Sequence, residues 1–256
     1  MNSFRRAAII IPVVASLWVT TLAPQAVSAA DNQDDKDWGV DTSVGFYSEY
    51  MFRGKNVYDG ISINPSATAY YDFDEFGNIS ANVWVQAPAE TNEPPEKFTE
   101  VDTTLAYGIE FGVVGIEVGH IFYSFPGGGE ARIEDTAEFF GTISGDFTLH
   151  PSFTVYHDYD EGEYEYYTFR ISEPFAAPLT DDEVTLEPYA MFGFASNAND
   201  DKVFYFENGL EHVDVGVTME LTAGRFYVSP NFNFTFEVDD AVQNEFWMGV
   251  DIGLSF

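Results

Sequence analysis

The chain has 256 residues and is strongly acidic, with 43 Asp and Glu residues against 10 Lys and Arg residues and a formal net charge of −33. This charge excludes nucleic acid as a partner, because a surface that binds DNA or RNA needs clustered Lys and Arg to neutralise phosphates. Acidity of this kind also occurs in disordered chains, but 45% hydrophobic and 17% aromatic residues indicate an ordered protein. No cysteine is present, so disulfides and thiolate metal sites are excluded.

The first thirty residues have the three-part organisation of a secretory signal peptide. Arg5 and Arg6 form a basic start, residues 7–19 are mostly apolar, and small residues lead to Ala29. The apolar stretch is too short to cross a bilayer as a helix, which needs about 20 residues. We therefore predict cleavage after Ala29, with Ala30 as the alternative, which leaves a signal peptide at 1–29 and a mature domain at 30–256.

Alternation of apolar and polar residues is the main feature of the remaining chain. From Phe226 to Val238 the even positions are apolar and the odd positions are polar apart from Tyr227. The same period of two runs through 213–221 and 246–256. It indicates β-strands with one apolar and one polar face. No apolar run after residue 30 approaches the length of a transmembrane helix, so a mature chain that enters a membrane must do so as a closed barrel.

Twelve such segments can be counted, and their lengths are near the ~9 to 11 residues that cross an outer membrane. They span 40–53, 61–73, 79–88, 100–111, 115–125, 135–145, 148–158, 163–173, 183–195, 209–222, 225–238 and 245–256. Short glycine-containing turns alternate with longer connections, as in barrels with periplasmic turns and external loops, although 174–182 is long and holds two prolines. These features predict an all-β chain that forms a single antiparallel transmembrane β-barrel of about twelve strands. A soluble β-sandwich is the alternative.

The last predicted strand carries an outward series of apolar residues and ends in an aromatic one. This ending resembles the C-terminal signal by which outer-membrane barrels engage their insertion machinery. The residues concerned are Val250, Ile252, Leu254 and Phe256.

A second resemblance lies at the first predicted hairpin. Residues 44–54, with the core Tyr50-Met51-Phe52-Arg53-Gly54 and with Pro65 on the next strand, resemble the first hairpin of the TorF-like porin family. The resemblance implies an outer-membrane barrel with a transport-like role and no assigned substrate.

The polar strand faces are predicted to line a lumen in which carboxylates outnumber cations. The predicted pore-lining charged residues are Glu49, Arg53, Asp102, Glu110, Glu117, Glu138, Arg170, Glu187, Asp214, Glu220 and Glu237. Barrels of about eight strands are filled by side chains and those of about sixteen form aqueous channels, so a twelve-stranded lumen can be open or plugged. We expect Arg53 to pair with a carboxylate on a neighbouring strand, as a structural cross-lumen ion pair or as a constriction that selects ions.

The sequence thus predicts a porin-like channel in the cell outer membrane of a Gram-negative bacterium, for passive diffusion of small hydrophilic solutes and with a preference for cations. A non-conducting surface-binding or structural barrel is the alternative. A barrel-rim hydrolase is less favoured, since no nucleophile motif frames Ser152 near His157 and Asp158. No catalytic residue, cofactor or metal is expected, and the acidic segments at 72–75, 158–161 and 199–201 lack the spacing of a calcium loop. The expected partners are outer-membrane lipid, the insertion machinery and small hydrophilic solutes or cations.

Overall fold

A computed structural model describes residues 37–89, 99–126, 134–177, 184–197, 208–238 and 243–256, and the predicted signal peptide lies outside these ranges. Within them the chain forms fifteen β-strands and one 3-10 helix. The strands are β1 (Trp38–Tyr47), β2 (Tyr50–Phe52), β3 (Lys55–Tyr58), β4 (Ser62–Asp72), β5 (Asn78–Pro88), β6 (Glu100–Phe111), β7 (Val114–Ser124), β8 (Thr136–Gly145), β9 (Ser152–Asp158), β10 (Glu165–Ser172), β11 (Phe175–Ala177), β12 (Val184–Ser196), β13 (Gly209–Ala223), β14 (Phe226–Glu237) and β15 (Glu245–Ser255), and the 3-10 helix is Asp74–Phe76. The described part of the chain holds no helix that is long and apolar enough to cross a bilayer.

Twelve of the described strands close into one antiparallel barrel. Successive barrel strands pair with each other along the chain, β10 pairs with β12, and β15 pairs with β1. At the seam, the Val40 N–H donates to the Phe256 carbonyl (3.1 Å) and the Phe256 N–H donates to the Val40 carbonyl (2.9 Å). Closure removes unpaired strand edges, as the interior of a bilayer requires. The predicted all-β twelve-stranded barrel and the pairing of its last strand with its first are confirmed.

β11 accounts for part of the long connection at 174–182. β10 pairs with β12 up to Ser172, and after Pro174 the chain pairs with β12 again from Phe175 to Ala177. Proline has no N–H to donate and interrupts the ladder. β11 is therefore a short continuation of β10 and not a further barrel strand. Residues 178–183 lie outside the described ranges.

The barrel strands have an enclosed side and an exposed apolar side. On β6, Asp102 and Thr104 are buried, whereas Leu105 and Tyr107 are exposed on the outer surface. The exposed belt includes Ile143, Phe153, Phe232, Phe246 and Met248. So large a contiguous apolar surface is unfavourable in water and suits contact with lipid tails.

The largest departure from the sequence prediction follows β1. The prediction of one strand over 40–53 and an external loop over 54–60 is wrong, because β1 ends at Tyr47 and β2 and β3 form a separate hairpin. Its turn has Arg53 (φ 50°) and Gly54 (φ 81°) in the left-handed region, as a two-residue hairpin turn requires. The hairpin folds into the barrel, where Tyr50, Phe52 and Arg53 are each at most 5% exposed. We call residues 50–58 the inner hairpin.

Candidate functional site

The inner hairpin occupies the lumen at one end of the barrel, which we call the loop end, where β1, β5 and β7 finish. Tyr50 donates a hydrogen bond to Glu100 of β6 (2.6 Å), and its ring centroid lies 5.8 Å from that of Trp84 on β5. Phe52 meets Tyr123 of β7 edge to face, with centroids 6.3 Å apart. The hairpin is thus in contact with one side of the wall through aromatic side chains.

Arg53, at the hairpin tip, forms a buried ion pair with β8, the barrel strand next to β7. Its Nη1 and Nη2 lie 2.8 and 2.6 Å from Oε1 and Oε2 of Glu138 on β8. Both side chains are at most 3% exposed, and two parallel charge-assisted bonds form a strong contact. The expectation of a partner on a neighbouring strand is wrong: β4, β5, β6 and β7 separate β1 from β8, and the hairpin carries Arg53 across the lumen.

Aromatic rings surround the Arg53 guanidinium. The ring centroids lie within cation–π distance of its Cζ atom, at 4.8 Å for Phe52, 4.9 Å for Tyr156, 5.4 Å for Tyr164 and 4.6 Å for Tyr166. Nη1 also donates to the Tyr164 hydroxyl. On the wall side, the Tyr123 hydroxyl donates to Glu138 (2.9 Å). We call the wall residues of this site the Arg53 pocket: Tyr123, Glu138, Tyr156, Tyr164 and Tyr166.

A buried polar chain supports the pocket from β13. The Tyr166 hydroxyl lies 2.5 Å from His212 Nε2, and His212 Nδ1 lies 3.1 Å from Asp214 Oδ1. The His212 ring also packs against Gly54, where a Cβ atom would come within 2.5 Å of the imidazole. Both its positive φ and this close approach therefore favour glycine at position 54.

The predicted pore-lining residues fall into two groups. Those enclosed on the lumen side of the barrel are Arg53, Asp102, Glu117, Glu138, Glu187 and Asp214, together with Arg170, whose Nη2 lies 2.6 Å from Glu187. The other four, Glu49, Glu110, Glu220 and Glu237, lie near the barrel ends and are more exposed. Glu49 lies outside the strands, where partial burial and the carboxylates of Glu245 and Asp59 raise its pKa.

Further from the hairpin, polar side chains of neighbouring strands are buried on the lumen side. Glu117 is 3% exposed, and its Oε1 has no hydrogen-bond partner among the described residues. The Thr142 and Thr154 hydroxyls lie 2.9 Å apart and are buried. In this conformation the lumen-facing side chains are largely shielded from water along the described wall.

Three residues of the site were missed in the sequence. Glu100 has the same parity as Asp102 on β6, so the alternation could have revealed it. His212 directly precedes the alternating segment 213–221 and has the parity of its polar positions, but this parity does not identify its contacts. Tyr164 falls within the predicted strand 163–173 but was not among the predicted lumen residues; in the structure it lies between β9 and β10.

The residues of the hydrolase alternative are not brought together. Ser152 begins β9 and His157 lies five residues along the same strand, which corresponds to roughly 16 Å at ~3.3 Å per residue. His157 instead faces Glu165, with Nδ1 3.4 Å from Oε1. Within the described ranges no group of three or more His, Asp or Glu side chains is placed to hold a metal ion, and the acidic segment at 199–201 lies outside them.

The closed barrel, its apolar outer belt and its charged interior define an outer-membrane β-barrel. LpxR from Salmonella typhimurium has a similar fold, with a TM-score of 0.55 and 8% sequence identity over 84% of this chain and 99% of that chain. An outer-membrane channel from Pseudomonas putida F1 is also similar, with a TM-score of 0.51 and 8% identity over 88% of this chain and 97% of that chain. At such identities the similarity shows the fold alone. No protein-family model and no curated protein matches the chain, so the TorF-like resemblance stays a prediction.

Proposed function

We propose that this barrel is a porin-like channel for passive diffusion of small hydrophilic solutes, that it prefers cations, and that the described conformation is its closed one. The charge of the enclosed wall carries the proposal. Asp102, Glu117, Glu187 and Asp214 are buried on the lumen side in addition to Glu138, against the two arginines Arg53 and Arg170. Charged side chains within a membrane protein are costly, and they face the interior along ion and solute pathways.

Glu117 illustrates the argument. A buried carboxylate without a full set of partners costs several kcal/mol in a dry interior. A barrel with a purely structural role gains nothing from this residue. A wall that is hydrated when the lumen opens can hold it at low cost and use its charge to attract cations.

A non-conducting barrel is the second candidate, and the inner hairpin favours it because the hairpin fills the loop end of the lumen. The two candidates differ in what happens when the hairpin is removed. A channel gains conductance, whereas a structural barrel remains folded and silent.

The experiment uses the wild-type protein and a variant in which Glu49 is joined directly to Asp59. The variant leaves residues 48–49 and 59–61 to connect β1 to β4, a normal length for a hairpin loop. Resistance to SDS without heating checks that each barrel is folded. We expect larger conductance for the variant in planar bilayers, and a reversal potential in a KCl gradient with the sign of cation preference.

Glu117→Gln in the hairpin-deleted barrel should reduce this preference, and Glu165→Gln near the rim is the matched control. A folded, hairpin-deleted barrel without conductance would establish the structural candidate instead. Anion preference would contradict the role given to the acidic wall.

A further inference from the structure

We propose that the barrel wall contains a binding site for solutes that bear a guanidinium group, and that Arg53 occupies this site as a ligand tethered to the same chain. The inference rests on the proposed function, since it names a class of solute that the channel recognises. The inference follows from where the interacting residues lie: Arg53 belongs to the inner hairpin, whereas the residues of the Arg53 pocket belong to the wall.

The residues that surround the Arg53 guanidinium lie mostly in the barrel wall. Glu138 lies on β8 and Tyr123 on β7, Tyr156 and Tyr166 lie on β9 and β10, and Tyr164 precedes β10. Arg53 and Phe52 come from the inner hairpin. The carboxylate offers two oxygens to a planar bidentate donor, and the three tyrosine rings around the cation offer their faces within 5.4 Å. This combination of a carboxylate and aromatic faces is the chemistry that recognises an organic cation.

Besides their contacts with Arg53, the pocket side chains also have contacts with other wall residues. The Tyr123 hydroxyl positions Glu138 (2.9 Å), and His212 positions the Tyr166 hydroxyl (2.5 Å). The rings of Tyr156 and Tyr166 pack at a centroid distance of 6.3 Å. A site whose side chains are fixed by their own neighbours is preorganised for a ligand.

The inner hairpin, which carries Arg53, is held in the lumen mainly by contacts of its side chains. β2 and β3 have three and four residues and pair with each other in a sheet separate from the barrel. An isolated hairpin of this size is marginally stable, so its docking depends on contacts such as the Arg53 ion pair. A tethered group competes at an effective concentration on the order of millimolar, so a free guanidinium solute at comparable concentration displaces Arg53.

The first experiment empties the pocket with Arg53→Ala in the full barrel, folded in lipid vesicles, and uses methylguanidinium chloride as the probe. We expect the melting temperature of the variant to rise saturably with millimolar methylguanidinium and not with NaCl at equal ionic strength. The wild type, in which the solute must first displace Arg53, should show a much smaller rise. The response should disappear in Arg53→Ala/Glu138→Gln and persist in Arg53→Ala/Glu165→Gln, which changes a partly exposed carboxylate near the rim.

The second experiment uses the wild type and therefore does not depend on the folding of a variant. Chymotrypsin cleavage after Phe52, identified by fragment mass, reports the undocked hairpin. Methylguanidinium should increase the cleavage rate at least several-fold where NaCl does not.

Neither measurement requires the barrel to conduct. A barrel that binds methylguanidinium but shows no conductance would therefore contradict the proposed channel function and still support the proposed binding site. The proposed site is wrong if Arg53→Ala gives no thermal response, if the response survives Glu138→Gln, or if wild-type cleavage is insensitive to methylguanidinium.

Discussion

Replacing Glu138 by Gln tests whether the buried ion pair holds the inner hairpin in the lumen. The substitution keeps the size of the side chain and removes its charge. It also replaces one of the oxygens that accept from Arg53 Nη1 and Nη2 with an N–H donor. The guanidinium then faces another donor, and its charge has lost its bidentate partner.

The burial of the pair sets the magnitude. Because the two side chains are 3% and 0% exposed, solvent screening does little to reduce the loss. Removing one partner of such a pair costs about 3 to 5 kcal/mol. The hairpin can avoid part of this cost by leaving the lumen, where Arg53 is hydrated. At about 1.4 kcal/mol per factor of ten, a loss of about 3 kcal/mol raises the undocked population about 100-fold.

Chymotrypsin cleavage after Phe52 measures that population when opening and closing are fast relative to cleavage. We expect the initial cleavage rate of Glu138→Gln to exceed that of the wild type by about two orders of magnitude while the barrel stays resistant to SDS. Glu165→Gln, the same change at a partly exposed carboxylate near the rim, should leave the rate unchanged. Equal cleavage rates for Glu138→Gln and the wild type would refute the view that this ion pair controls docking.

Three further predictions concern other parts of the chain. Gly54→Ala should raise the rate of cleavage after Phe52 about tenfold or more, because the backbone at this position has a positive φ and an added Cβ would approach the His212 ring. Gly224→Ala is the control: its φ is also positive (64°) but no atom lies within 4 Å of the added Cβ, so the cleavage rate should not change. Deleting Phe256 should lower the SDS-resistant fraction in the outer membrane because the paired bonds to Val40 are lost; Phe256→Ala keeps the backbone and separates that loss from a side-chain signal. The intact mass of the exported protein should correspond to a chain that begins at Ala30, and a mass that includes Arg5 and Arg6 would show that the leader is retained.

The barrel strands were predictable because lipid outside and polar groups inside impose a period of two on each strand. The span predicted at 100–111 coincides with β6, and the span at 209–222 differs from β13 by one residue. The same rule failed at 50–53, because a hairpin inside a lumen is enclosed on both faces. Its turn sequence, Arg53-Gly54, is also not among the Asn-Gly or Asp-Gly pairs that signal such turns.

The partner of Arg53 could not be read from the alternation. The pattern assigns both Arg53 and Glu138 to the lumen side, but 85 residues of chain separate them. Which two lumen-facing residues meet depends on barrel closure, strand stagger and the inward turn of the hairpin, and none of these is recorded in a local pattern. Tyr164 enters the pocket from the connection between β9 and β10, so its contact with Arg53 does not follow from the alternation within a barrel strand.

In the proposed channel, the acidic wall links closure of the lumen to its selectivity for cations. A twelve-stranded barrel is wider than one that its own side chains fill, so an additional segment is needed to close it. An apolar plug would leave the wall carboxylates buried without partners, which is costly. The inner hairpin brings Arg53 at its tip, with Lys55 close by in the chain, and the wall offers Glu138. If the lumen conducts cations as proposed, the negative charge that attracts them also binds the cationic plug that closes it, and a substitution that removes this charge at Glu138 should weaken both closure and cation preference.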